Sequence, residues 1–312
     1  MTSLLPKSWM DLWNGYWFTS GSPRNVALAR IVFALTSLWV LISRDYAGIA
    51  GLPIQFWNGV PASARWRYLD FWGHPLLERG LEWAAGIALV LALVGIVPRI
   101  ACFVSALLLY HLAPFETILW TPNPYARGLT IPVLALLTLA FSPCGDCWVL
   151  VRSNCRQAAI AGDYTWPVRL IQIFLAQVYL FSGWAKVTHS GWGWASGANL
   201  RGWLLYFNQE DQVSVFHTLG SWLAERPLLC QAIGIGTLVF ELGFVSVLFS
   251  RTARRVLVPM AAMFHLGILL GMNLVFLNLP QLLVYVDWER TAMKLGRPSA
   301  MRFSSPVAPN PT

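Results

Sequence analysis

The chain is a succession of long apolar runs separated by short polar stretches. The runs cover roughly residues 26–43, 81–97, 100–119, 128–143, 168–187, 228–250 and 256–286. Most reach about 17–20 residues, the length at which an α-helix crosses the hydrocarbon core of a bilayer. The last run is longer than one upright span needs, and it contains Asn273, Asn278 and Pro280. It is either one tilted helix, or a helix and a return segment broken near "GMNLVFLNLP". The pattern predicts an all-α, polytopic transmembrane helical bundle of about seven or eight membrane segments. Residues 24–288 form the transmembrane domain and 1–23 an N-terminal interfacial segment. Residues 289–312, which include the Pro-rich "GRPSAMRFSSPVAPNPT", form a polar tail expected to be disordered.

Composition agrees. Of 312 residues 56% are hydrophobic and only 12% charged, about half the charged fraction of a soluble domain. Mean hydropathy is +0.55. The start "MTSLLPKSWMDLWNGYWF" has one lysine, an aspartate and scattered aromatics. It lacks the basic patch and apolar core of a cleavable signal, so the first span is expected to direct insertion. Seventeen tryptophans suit rings anchored at headgroup depth. The bilayer is thus the first partner. The net charge of +8 is spread over short loops with no basic stripe interleaved with exposed aromatics, so no nucleic-acid partner is expected. In a membrane protein such charges set orientation.

With the N-terminus in the cytoplasm, that side collects Lys7, Arg24, Arg99, Arg152, Arg156, Arg251, Arg254 and Arg255. The other side collects Arg44, Arg65, Arg67, Arg79, Arg127, Arg201 and Arg226. The connection "SRTARR" is the clearest vote. The basic tail also prefers the cytoplasm, which requires an even number of crossings and favours splitting the last run into two. Lys186 then lies at the outer end of the fifth span, facing the same compartment as "WTPNPYARG" (120–128).

Ionisable residues within spans are costly and each asks for a partner or a role. Arg30, His111, Glu116, Lys186, His189, Glu241 and His265 are the candidates. Arg30 is expected to pair with a carboxylate in the bundle. His111 and Glu116 flank Pro114 and either share a polar cavity or pair elsewhere. Glu241, in the middle of "TLVFELGFV", is a partner for Arg30 or Lys186, and the sequence does not choose. His265 is either a histidine hydrogen-bonded across helices or a functional group. Cys144 and Cys147 in "SPCGDCW", with Cys155 beyond, are loop thiols or a redox or metal pair. Five cysteines in so apolar a chain are not expected to form a disulfide framework. No metal set is completed.

Lys186 is one of three lysines, with Lys7 and Lys294, among 22 basic residues. A lysine at a span end can snorkel to the interface. It can also lose its proton when desolvated, which arginine does not, and a neutral amine in an apolar pocket is a general base. The near-exclusive use of arginine elsewhere favours the second role.

The stretch "YLFSGWAKV" followed by "WGWASG" resembles the HTTM membrane domain, shared by vitamin K-dependent gamma-carboxylases and bacterial relatives. The matching residues are Tyr179, Phe181, Gly183, Lys186, Trp194 and Gly197. "NVALARIVFAL" with Arg30 resembles the family's first span, and "FHLGILLGM" with His265 its late His-bearing span. The resemblance covers about residues 24–288. It implies that Lys186 is a catalytic base acting on a reduced, vitamin K-like quinone with O2 as co-substrate, and that His265 supports it. Asn123, Tyr125, Trp194 and Glu241 are the expected substrate-binding groups. The carboxylases carry a histidine where this chain has Asn123, and a large further domain after the membrane region, which here ends near residue 290. Both departures argue against glutamate carboxylation. The expected function is therefore quinol- or lipid-linked oxidation or modification in a multi-pass protein of a bacterial inner (cell) membrane. The alternative is a non-enzymatic membrane component for maturation, export or immunity of a secreted peptide.

Overall fold

The computed structural model describes residues 8–53, 55, 74–113, 128–150, 161–209, 217–276 and 278–295. Among these the protein is all-helical, with no strand. A short amphipathic helix α1 (Trp9–Trp17) opens the chain, capped by the Ser8 hydroxyl on the Asp11 N–H. Trp9, Met10, Leu12 and Trp13 on it are exposed.

Helix α2 (Pro23–Ile42) starts with a Ser22 cap and proline in its first turn, both strong start signals. It is the central element, with Val26, Ala27, Ala29, Arg30 and Phe33 fully buried. After the short α3 (Tyr46–Ala50), α4 (Pro75–Val94) and α5 (Pro98–Leu112) form an antiparallel pair. Their turn passes through Gly95 at φ 78°. A side chain there would strike Val149, 2.6 Å from its Cγ1. Helix α6 (Thr130–Ala140) packs on α5 and α2, completing one half of the bundle.

The second half centres on α7 (Thr165–Ser190). The hairpin α8 (Ala198–Gln209) and α9 (His217–Ala224) follows it. Helix α10 (Pro227–Gly243), its 3-10 extension Phe244–Leu248, and α11 (Arg251–Met272) complete this half. Helix α7 meets α10, while α11 leans on the 3-10 extension.

Four segments are long and apolar enough to cross a membrane: Pro23–Ile42, Gly162–Gly193, Pro227–Leu248 and Arg251–Met272. Two expected spans, Pro98–Leu112 and Thr130–Ala140, are shorter apolar helices among the described residues. In α4 the charges of Glu78, Arg79 and Glu82 crowd one end of an otherwise apolar helix.

The long last run is broken. Helix α11 ends at Met272 because Asn273 turns left-handed (φ 53°) and its N–H closes on Leu269, the usual asparagine route out of a helix. A return segment follows, α12 (Asn278–Gln281) and a 3-10 turn Leu282–Tyr285. The Gln172 amide donates to the Val284 carbonyl at 2.9 Å, and the Tyr285 hydroxyl to the Gln172 carbonyl at 2.6 Å. Helix α13 (Trp288–Leu295) then lies beside the start of α2. The Trp288 N–H donates to Asn25, and Glu289 bonds Ser22 and Arg24. Residues 289–295, grouped with the tail by sequence, are therefore helical and tied down; the rest of the tail lies outside the described residues.

The starts of α2, α5, α7 and α11 share one end of the bundle with residues 141–150 and 285–289, called here the first end. The other, second end carries residues 43–53, the start of α4 and residues 188–209 and 217–227.

Arg30 departs from its expected partner. It is fully buried, yet its guanidinium donates to the backbone carbonyls of Cys144 and Trp148. A planar fork of donors can satisfy two carbonyls of one tight turn as readily as a carboxylate. Arg30 thus clamps the loop after α6 to α2. The same loop corrects the cysteine reading. Cys144 is a free buried thiol, but Cys147 is disulfide-bonded. Cys155 lies outside the described residues.

Candidate functional site

Lys186 sits one turn from the end of α7 and points inward, not out to the headgroups. Its Nζ donates to both carboxylate oxygens of Glu241, at 2.7 Å each. Glu241 is 4% exposed at its side chain and Lys186 21%. The pair lies at the contact of α7 with α10. Two glycines shape that contact. Gly183 lies one turn before Lys186, and a Cβ on it would lie 3.0 Å from the Glu241 Cβ and 3.1 Å from Leu242. Gly234 on α10 faces the Trp194 carbonyl, 2.7 Å from where its Cβ would be. Gly197, at φ 78°, lies so close to the Gln231 backbone that any side chain would collide.

These glycines let the loop after α7 fold over the site. The Lys186 ammonium lies 5.1 Å from the centroid of the Trp194 ring, a cation–π distance. The Trp194 indole N–H is buried and makes no hydrogen bond among the described residues. A buried N–H without an acceptor is costly and gives the site a donor for a ligand oxygen.

Gly183→Ala is expected to destabilise the protein by about 1–3 kcal/mol, the usual cost of overpacking a tight contact. Thermal unfolding in detergent would show it as a lower midpoint. An unchanged midpoint would mean that α7 and α10 do not meet this closely.

Two turns before Lys186 on the same face stands Tyr179. Its hydroxyl shares a 2.7 Å hydrogen bond with His265 Nε2 on α11. Both are buried. Aromatic rings enclose them: Phe244 lies 4.2 Å from Tyr179, and Phe276 5.4 Å from His265, centroid to centroid. His265 Nδ1 is buried and unbonded among the described residues. Lys186, Glu241, Trp194 and His265 therefore gather along one α7–α10–α11 seam. Lys186 and His265 do not bond each other; Phe240 packs on the Tyr179 ring at 5.5 Å, next in sequence to Glu241. Asn123, Tyr125 and Glu116 lie outside the described residues.

His111 pairs within the bundle, one of the two outcomes expected from the sequence. Its Nε2 lies 3.0 Å from the fully buried Glu78. Beside it, Glu82 accepts the Ala47 N–H at 2.8 Å and Arg79 at 2.9 Å. The sequence reading passed over Glu78 and Glu82, whose signal is a four-residue acidic spacing at the start of an apolar helix; Tyr179 stands seven residues before Lys186. Among the described residues His189 bonds within its own turn, at the Ala185 carbonyl and the Thr188 hydroxyl. No group of three or more His, Cys, Asp or Glu able to hold a metal ion occurs among the described residues.

No curated protein and no solved structure matches the chain significantly. One family model does, the HTTM domain, over residues 18–278. That span runs from the end of α1 to the start of the return segment and contains every side chain of the Lys186 seam, so the protein is a membrane protein of the HTTM family.

Proposed function

We propose that the protein is a membrane enzyme whose Lys186 removes a proton from an acidic hydroxyl of a lipid-like, quinol-type substrate. The observation that carries this reading is the inward-turned Lys186–Glu241 pair beneath Trp194. An anchoring lysine extends to the interface, whereas this amine is drawn to a buried carboxylate. Two charges held in an apolar seam carry a desolvation cost that a neutral pair lacks. A proton passed from Lys186 to Glu241 leaves the amine free to accept the next one. The unbonded Trp194 N–H and His265 Nδ1 offer hydrogen-bonding capacity to substrate oxygens, and the fit to a quinol rests on those two groups. A bound reduced quinone would be the electron donor, and O2 the oxidant, in the chemistry that the family resemblance implies. Tyr179 fixes the orientation of His265.

The deciding experiment replaces Lys186 by arginine and follows conversion of an added menaquinol-type substrate in membranes. A second reading, a non-enzymatic component serving a secreted peptide, is favoured by the same pair taken as a static tie between α7 and α10. It predicts that the arginine variant behaves as wild type.

The proposal includes eight membrane segments, with the return segment that ends at Tyr285 as the last, because Trp288 meets the start of α2. It also places the first end in the cytoplasm of a bacterial cell. Two signals oppose each other there. Loop arginines, above all "SRTARR", favour the cytoplasm, whereas the disulfide at Cys147 is a bond that persists in oxidising compartments. Loop charge acts during insertion, before any disulfide forms, and so sets the orientation first. A reporter fused after Arg254 is expected to read as cytoplasmic and one after Trp194 as external. Reversed signs would put the disulfide end outside and Lys186 near the cytoplasmic face.

A further inference from the structure

The other half of the bundle carries a feature that the Lys186 seam does not use. An open groove of about 520 Å³ runs between the last turns of α2 and the length of α4. Leu41 and Ile42 form one wall, and Trp83, Ile87 and Val90 the other. Gly86 forms the notch between them, with only Leu41 within 4 Å of where its Cβ would be. From Arg79 to Leu91 the lining spans about 18 Å at the helical rise, comparable to the ~15 Å half-thickness of a hydrocarbon core. A groove of that length and polarity fits one acyl chain lying along the helices.

The second-end mouth of the groove is polar: Arg44, Arg79 and Glu82 line it. Two of these are already engaged. Arg79 bonds Asp45 at 2.7 Å and Glu82 at 2.9 Å, and the other Glu82 oxygen takes the Ala47 N–H. Asp45 is turned to α3, where it accepts the Gly48 N–H at 3.1 Å. That bond holds its carboxyl below the usual range, so it remains an anion matched to Arg79. Arg44 is exposed and makes no hydrogen bond or ion pair among the described residues. Its guanidinium, a planar fork suited to phosphate, stands where α2 ends, at headgroup depth for a chain lying in the groove.

We infer that this groove binds an anionic phospholipid of the surrounding bilayer, with one acyl chain between α2 and α4 and the phosphate on Arg44. The site does not rest on the Lys186 reading, since no residue is shared. The test is native mass spectrometry of the purified protein in detergent. It is titrated with phosphatidylglycerol or with phosphatidylcholine of the same acyl chains. One phosphatidylglycerol is expected to bind preferentially. Arg44→Ala should weaken it about fivefold, the effect of one interfacial arginine. Gly86→Phe, which fills the notch, should weaken both lipids. Arg226→Ala removes an arginine at the same end that stacks on Trp222 at 3.8 Å, and it should leave binding unchanged. Arg44 is exposed, so its variant is readable even if Gly86→Phe does not fold. Equal binding of the two lipids by wild type, unchanged binding in Arg44→Ala, or equal weakening in Arg226→Ala would each overturn the inference.

Discussion

Lys186→Arg is expected to lower turnover by about 10²–10⁴-fold, the range lost when a positioned general base is removed. The substitution isolates proton chemistry from everything else the lysine does. Arginine keeps the positive charge, can meet Glu241 with two parallel N–H donors, and can stack on Trp194. It cannot be deprotonated in a protein. The Lys186–Glu241 contact at 2.7 Å would thus be replaced by another ion pair, and unfolding midpoints should stay near wild type. Loss of turnover with normal expression and stability supports the base. A fully active arginine variant would make Lys186 a structural tie and move the protein to the non-enzymatic reading.

Glu241→Leu is expected to destabilise the protein by about 3 kcal/mol, at the lower end of the range for breaking a buried ion pair from one side. The lower end applies because Lys186 retains 21% side-chain exposure and can extend part of its stem towards water. The double variant Lys186→Met/Glu241→Leu should recover most of that loss. Two apolar side chains in place of a buried pair are often neutral or better. Unfolding midpoints of the two single variants and the double variant form a cycle that isolates the pair. If Glu241→Leu is as stable as wild type, the carboxylate is not holding a charge. If the double variant is as unstable as the single, the loss comes from shape at the Gly183 contact. In either case the double variant is expected to be inactive.

The sequence alone determined the membrane class and located the four segments long and apolar enough to cross a membrane. Both depend on composition within one run, and hydrocarbon imposes the same length on every helix that crosses it. The break at "GMNLVFLNLP" was legible for a local reason too, since asparagine at 273 and proline at 280 disfavour a continuous helix. The same holds for Lys186 as a candidate, because a lone lysine among arginines is visible in one dimension. Partner choice was not. Glu241 follows Lys186 by 55 residues and Arg30 by 211, and nothing local says which it meets. The tertiary structure chose Lys186 because Gly183, Gly197 and Gly234 allow α7, its following loop and α10 to close on one another. It gave Arg30 the carbonyls of Cys144 and Trp148, so no carboxylate was required. It joined Tyr179 to His265 and His111 to Glu78 across helices. In an apolar bundle an unpaired buried polar group is costly, and which partner it finds depends on helix rotation and crossing, set by small residues at the contacts.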